Sequence, residues 1–160
     1  MSLDNVKAVV LAAGKGVRMK SERPKVLHEI LGRPVLVFVL RNLKQAGVQD
    51  IIVVVGHQAD KVKAAAKDCR FAEQTVQKGT GHALLAAEPL LKGFSGDLFV
   101  VAGDAPLIGA NTLRALHNDH HVKGHDATFL SACLDDPTGY GRVGRVRSTG
   151  QDGSNLMSAS

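Results

Sequence analysis

Short apolar runs alternate along this chain with stretches whose apolar residues return every three or four positions. Val6–Leu11, Ile51–Val55 and Leu98–Val101 are apolar without alternation. Runs of that kind read as strands buried on both faces, whereas a three-to-four spacing reads as a helix with one buried stripe. Leu36–Ala46 has the helical spacing and is ended by Gly47. Asp60–Lys67 is a second helix, rich in Ala and Lys. Gly81–Leu91 is a third, interrupted near Pro89, and Asn111–His117 is a fourth that extends toward His121. Phe71–Val76 and Ala127–Leu134 read as further strands, and Arg142–Arg147 as an edge strand or hairpin arm.

Strands apolar on both faces that alternate with helices predict an α/β fold, a mostly parallel sheet between helices. Such sheets bind ligands beyond the carboxyl ends of their strands. The loop after Leu11 and the segment Gly103-Asp104 both leave carboxyl ends, so both are expected at one crevice. Residues 1–147 read as one domain. Residues 148–160 are Ser/Gly-rich and read as a loop or disordered tail.

Composition narrows the function classes. The chain has 160 residues, enough for one hydrophobic core, with 44% apolar and 22% charged residues. No apolar run reaches the roughly 18 residues that a membrane span needs, and no signal-peptide pattern opens the chain. A cytoplasmic protein is expected, with Cys69 and Cys133 as reduced thiols. The net charge is +5, and residues 1–34 hold seven Lys or Arg against three Asp or Glu. Aromatics are 4% and do not interleave with the cations, which argues against a nucleic-acid surface and for a small anionic ligand. The histidines His117, His120, His121 and His125 match no standard zinc spacing, and a polar helix end and loop is favoured over metal ligation.

Candidate chemistry begins directly after the first strand, in Leu11-Ala12-Ala13-Gly14-Lys15-Gly16-Val17-Arg18-Met19, followed by Pro24-Lys25. Two glycines free the backbone to turn and present N–H groups, and Lys15, Arg18 and Lys25 are among five cations within eleven residues. This is a place to hold phosphates. It is not a P-loop, because the glycines are two apart instead of five. Nor is it the dinucleotide fingerprint, whose third glycine falls on Met19. Pro24 stiffens the chain and aims Lys25.

Three later segments complete the set. Asp104, in Ala102-Gly103-Asp104-Ala105-Pro106-Leu107, stands just past a strand end. A carboxylate there suits magnesium, which takes one or two carboxylates beside phosphate oxygens; the same residues also make a good turn. Gln74 precedes Gln77-Lys78-Gly79-Thr80-Gly81-His82-Ala83, and its amide can match the N3–H and O4 edge of uracil. Thr80 is also placed to cap the following helix. Asp136-Pro137-Thr138-Gly139-Tyr140-Gly141-Arg142 reads as a loop entering a hairpin.

The pattern L-A-A-G-x-G-x-R-M-x-x-x-x-P-K resembles the signature of sugar-phosphate nucleotidyltransferases. The segment Q-x-x-Q-x-G-T-G-H-A brings the resemblance closest to the uridyltransferase domains of the bifunctional uridyltransferase/acetyltransferases. The resemblance implies a three-layer, Rossmann-like nucleotidyltransferase fold. It implies transfer of a uridylyl group from UTP to N-acetylglucosamine 1-phosphate, with Mg2+ as cofactor and UDP-N-acetylglucosamine and pyrophosphate as products. Arg18 and Lys25 would act on the phosphates, and Asp104 would hold the metal. Leu11, Ala12, Ala13 and Gly14 would line the nucleotide together with Lys25. Gln74, Gly79 and Thr80 would meet uracil, and Gly141 the sugar. The partners implied are UTP and a sugar 1-phosphate, with neither nucleic acid nor membrane; the sequence leaves the oligomeric state open.

There are departures. Ala102 replaces a tyrosine of the sugar pocket, and Val17 replaces a threonine. The likeness runs from about Val6 to Arg147. The V-E-x-K-D-A and N-x-G segments and the second metal ligand of the family do not follow. A truncated domain of low activity is therefore expected. Two other readings stay open: a nucleotidyltransferase for another sugar phosphate or base, and a non-catalytic nucleotide-binding module.

Overall fold

The computed structural model of the chain describes residues 3, 5–14, 16, 21–141, 143–145 and 157–159. The chain divides into two units, residues 1–118 and 119–160.

The first unit is built on the three apolar runs, the first of them interrupted by Lys7. β1 (Val6–Leu11), β4 (Asp50–Val55) and β6 (Asp97–Ala102) join β5 (Arg70–Glu73) in one parallel sheet of order β5-β4-β1-β6. Val9 of β1 stands beside Ile52 on one side and Val100 on the other. β-Branched residues dominate β1 and β4, where they fill the pleat between neighbours. Val9, Val10, Ile52, Val53, Val54 and Val55 are all 0% exposed.

The connections account for the layers. From β1 the chain crosses to β4 through α1 (Val35–Ala46), and from β4 to β5 through α2 (Ala59–Ala65). It then crosses back through α3 (Thr80–Ala86) and α4 (Glu88–Leu91) to lay β6 on the far side of β1. Parallel crossovers are right-handed, so reversing direction moves the helices to the opposite face. The two cores follow suit, because successive side chains of a strand point to opposite faces. Val6, Ala8 and Val10 of β1 join Leu36, Val39, Leu40 and Leu43 of α1 and Val62 of α2. Val9, Ile52 and Val54 point the other way, onto Ala83 and Ala87 and the partly buried Leu84, Leu90 and Leu91. The result is the expected sheet between helix layers.

α1 carries its stripe at Leu36, Val39, Leu40, Leu43 and Ala46, and ends at Gly47, whose N–H returns to Leu43 O and Lys44 O. Truncating one such side chain, as in Leu43→Ala, costs about 2–5 kcal/mol. Before α1, β2 (Glu29–Ile30) and β3 (Arg33–Pro34) form an antiparallel hairpin with strands of two residues, too short to leave a pattern in the sequence. α5 (Ala110–Lys123) runs longer than its apolar spacing suggested, with Leu113 in the core. None of the described helices is long and apolar enough to cross a membrane.

The second unit holds little regular structure among its described residues. β7 (Val143–Arg145) pairs antiparallel with β8 (Met157–Ala159). β7 falls inside the expected hairpin arm, and β8 is the described part of the Ser/Gly-rich tail. Ala127–Leu134, expected as a strand, is irregular, with Phe129, Leu130 and Leu134 each about half exposed. An apolar run supplies propensity, but a strand also needs a neighbour's N–H and C=O groups. The run has no ladder partner among the described residues.

Candidate active site

The order β5-β4-β1-β6 reverses direction between β1 and β6, and such a switch point opens a crevice outside the carboxyl ends of the two strands. Leu11 and Ala102, the last residues of those strands, are register partners. The glycine loop and the Asp104 loop therefore leave the sheet side by side. A solvent-open cleft of about 350 Å³ lies there. Leu11, Ala12, Ala13 and Gly14 line it from β1 and the loop that follows. Lys25, Asp104, Gln74, Gly79 and Thr80 line much of the remainder. The shared crevice expected for the two loops is realised by the parallel register.

Each wall is held by backbone contacts. Gly103 N–H donates to Leu11 O at 2.9 Å, and Ala12 N–H donates to Val54 O at 2.9 Å. A Cβ at Gly103 would lie 2.9 Å from Leu11 O and 3.1 Å from Val26, so only glycine lets the loop of Asp104 lie this close to β1. Gly16 adopts φ +63°, and a Cβ there would sit 2.9 Å from the Cβ of Lys25. The glycine loop thus rests on the lysine's own turn.

Lys25 opens a single 3-10 turn, Lys25–Leu27. Pro24, Val26 and Leu27 around it are buried, which anchors the backbone, while the lysine side chain is half exposed. Pro24 is fully buried just before the turn. Lys25 Nζ lies 2.5 Å from Asp104 Oδ2. Both side chains are partly solvated, so the pair is a weak, exchangeable contact and not a structural tie. Asp104 is the one carboxylate among the described residues that line the cleft. A single hard oxygen donor at a strand end, open on the cleft side, fits a magnesium ion that takes its other ligands from phosphates.

Gln74 follows β5 directly and is 5% exposed. Its Nε2 donates to Gly79 O at 3.3 Å and faces His82 Nδ1 at 3.0 Å. Gln77 Nε2 donates to Ala13 O at 2.6 Å, pinning this segment to the glycine loop. Thr80 is exposed and makes no capping hydrogen bond; Gly79 occupies the N-cap of α3. The cap reading of Thr80 therefore fails, and its hydroxyl is left to the cleft.

Arg18 lies outside the described residues. Gly141 belongs to the second unit and is exposed there. His117 Nε2 lies 2.9 Å from Asp97 Oδ2, at the amino end of β6. That end is about 20 Å along the strand from Asp104, at roughly 3.3 Å per residue. His117 therefore does not serve the cleft.

Three supports escaped sequence reasoning. Gln77 and His82 stand in the quoted motif without an assigned task. Asn42 is buried on α1 and donates through Nδ2 to Pro106 O at 2.9 Å and Ile108 O at 3.1 Å. It fixes the loop that carries Asp104. Its signal was present: a polar residue on the helix face between Val39 and Ala46.

The sequence profile of the MobA-like NTP transferase domain matches residues 8–140. This chain belongs to that family. Its nucleotidyltransferase relatives include the bifunctional protein GlmU of Thermoanaerobacter pseudethanolicus, 45% identical over 147 residues, which are 91% of this chain and 32% of that protein. The chain spans about a third of the length of such relatives and falls on their N-terminal part. Among solved structures, a nucleotidyl transferase from Methanothermobacter thermautotroptrophicus superposes with TM-score 0.60 at 29% identity, over 72% of this chain and 57% of that one. A manganese complex of Rv0371C from Mycobacterium tuberculosis H37Rv superposes with TM-score 0.55 at 26% identity, over 74% and 60%. The parallel sheet and its helices are those of this nucleotidyltransferase family.

Proposed function

We propose that this domain transfers a uridylyl group from UTP to N-acetylglucosamine 1-phosphate, releasing pyrophosphate and forming UDP-N-acetylglucosamine for the cell envelope, in the cytoplasm. The observation that carries the reading is the convergence of Lys25, Asp104, Gln74 and the glycine loop on one cleft at the switch point. Identity to GlmU proteins supports it.

In this reaction an oxygen of the sugar phosphate attacks the α-phosphorus of UTP in line. The new P–O bond forms as the bond to the bridging α–β oxygen breaks, and pyrophosphate leaves with that electron pair. The nucleophile is already an anion, so no side chain has to remove a proton. The protein's share is positioning and charge. Leu11 to Gly14 line the nucleotide, with the backbone of Gly14 beside it. Lys25 exchanges Asp104 for phosphate oxygens, and Arg18 neutralises charge on the departing pyrophosphate. Gln74, Gly79 and Thr80 hold uracil, and Gly141 meets the sugar. Asp104 holds Mg2+, which when bound draws charge from the phosphate oxygens; the manganese complex of a related structure supports a divalent ion in this fold.

Two measurements test the reading. Titrating the chain with the four nucleoside triphosphates and Mg2+ should give tightest binding for UTP; another base binding more tightly overturns it. In a full-length enzyme carrying this domain, Lys25→Ala and Asp104→Ala should each lower UDP-N-acetylglucosamine formation by about 10²–10³, the scale of one lost electrostatic contact to the reacting group. Wild-type turnover in both variants would remove the assignments.

A further inference from the structure

Gln74 continues the sheet with its backbone, its N–H donating to Val55 O at 2.8 Å. Its side chain is held from two other directions, by Gly79 O at 3.3 Å and His82 Nδ1 at 3.0 Å. A backbone carbonyl only accepts, so the atom that faces Gly79 O is the amide nitrogen. That NH2 group has two hydrogens. One goes to Gly79, and the other goes to His82 Nδ1, which accepts as the neutral ring protonated at Nε2. Both donors of Gln74 are then committed inside the protein, and Oε1 is what the side chain offers to the cleft it lines.

The consequence is chemical. An acceptor oxygen pairs with a base edge that donates at N3, as uracil does. Cytosine presents an acceptor at N3 and would meet Oε1 oxygen to lone pair. Without the histidine, only the longer bond to Gly79 O at 3.3 Å keeps that sense, and the half-turn about the last side-chain bond that exchanges oxygen and nitrogen becomes less costly, so the preference for uridine weakens. A site whose buried polar groups are committed in one sense discriminates strongly against the analogue that leaves them unpaired.

We propose that His82 is a positioning residue that fixes the Gln74 amide with its oxygen toward the base, so that the cleft selects uridine over cytidine. The inference rests on the uridylyl reading above. His82 acts through Gln74. It is fixed in turn by α3, in which it stands three residues after Gly79, so that the carbonyl and the imidazole present to the same amide.

The test uses the whole chain with His82→Asn, which keeps an acceptor close to the position of Nδ1, and His82→Phe, which keeps a ring and removes it. His82→Leu repeats the loss with a smaller side chain in case the phenyl ring disturbs folding. In the nucleotide-free protein, the side-chain NH2 signals of Gln74 should be dispersed and slow to exchange in the wild type and in His82→Asn. They should move to solvent-like positions in His82→Phe and His82→Leu; unchanged signals there overturn the lock. By calorimetry with Mg2+, the ratio of UTP to CTP affinity should fall about tenfold in His82→Phe and His82→Leu and recover in His82→Asn. A ratio unmoved by all three variants overturns the selectivity. A wild type with a locked amide that binds UTP and CTP equally overturns the uridine reading, while the lock itself stands.

Discussion

Asp50–Val55 and Ala127–Leu134 are comparable apolar runs with different fates. The first is β4, paired on both sides by β1 and β5, and residues 52–55 are 0% exposed. The second is irregular and about half exposed at its largest side chains, Phe129, Leu130 and Leu134. Both are apolar enough to read as strands, although only the first is built of β-branched residues. What separates them is whether neighbouring backbones offer the hydrogen bonds that a buried strand requires. A strand in the first unit is the property of its sheet, not of its sequence alone.

The largest test of that contrast introduces a charge into each run. Val53→Asp places a carboxylate in a fully buried position without a partner, and should cost at least about 4 kcal/mol, enough to unfold the domain. Leu130→Asp should change stability by less than about 0.5 kcal/mol. Urea denaturation followed by circular dichroism measures both, and equal losses would erase the contrast.

A middle-sized test concerns irregular backbone in the first unit, which is held by side chains where ladders are missing. Asn42→Leu leaves Pro106 O and Ile108 O without their donor and should cost about 1–3 kcal/mol. It should also raise amide exchange across residues 104–108 while leaving exchange in β4 unchanged. Uniform exchange in both segments would show that the loop holds itself.

The smallest test lies in the second unit. The carboxyl of Asp136 is held below its ordinary value of 3.8, first by the Thr138 hydroxyl at 2.6 Å and then by the Thr138 N–H at 3.0 Å. A carboxyl lowered on folding stabilises its turn above the ordinary value and loses that contribution as pH falls through it and below. On acidification below about pH 4 the Thr138 amide should therefore lose protection before the amides of β4 do. Simultaneous loss would weaken the contrast.

These cases mark how far the sequence could be read. The buried strands were legible because a run such as Ile51–Val55 has no other stable home. The glycine loop, Lys25, Asp104 and Gln74 were legible because their residue types state their chemistry. Gln77, His82 and Asn42 were not, because each acts on a carbonyl or a side chain outside its own turn of chain, and nothing local encodes that partner. Ala127–Leu134 misled for the reverse reason: its residues are suited to a strand whose neighbours its own sequence does not describe.

The pairing of Leu11 with Ala102 gives the site its tolerance. Parallel neighbours lie about 4.8 Å apart and advance about 3.3 Å per residue, so the ladder acts as a ruler between the phosphate loop and the aspartate. One residue inserted or deleted within β6 would shift Asp104 by a full step and turn its side chain to the opposite face. Loops away from the cleft therefore tolerate a change of length better than the two strands that flank it.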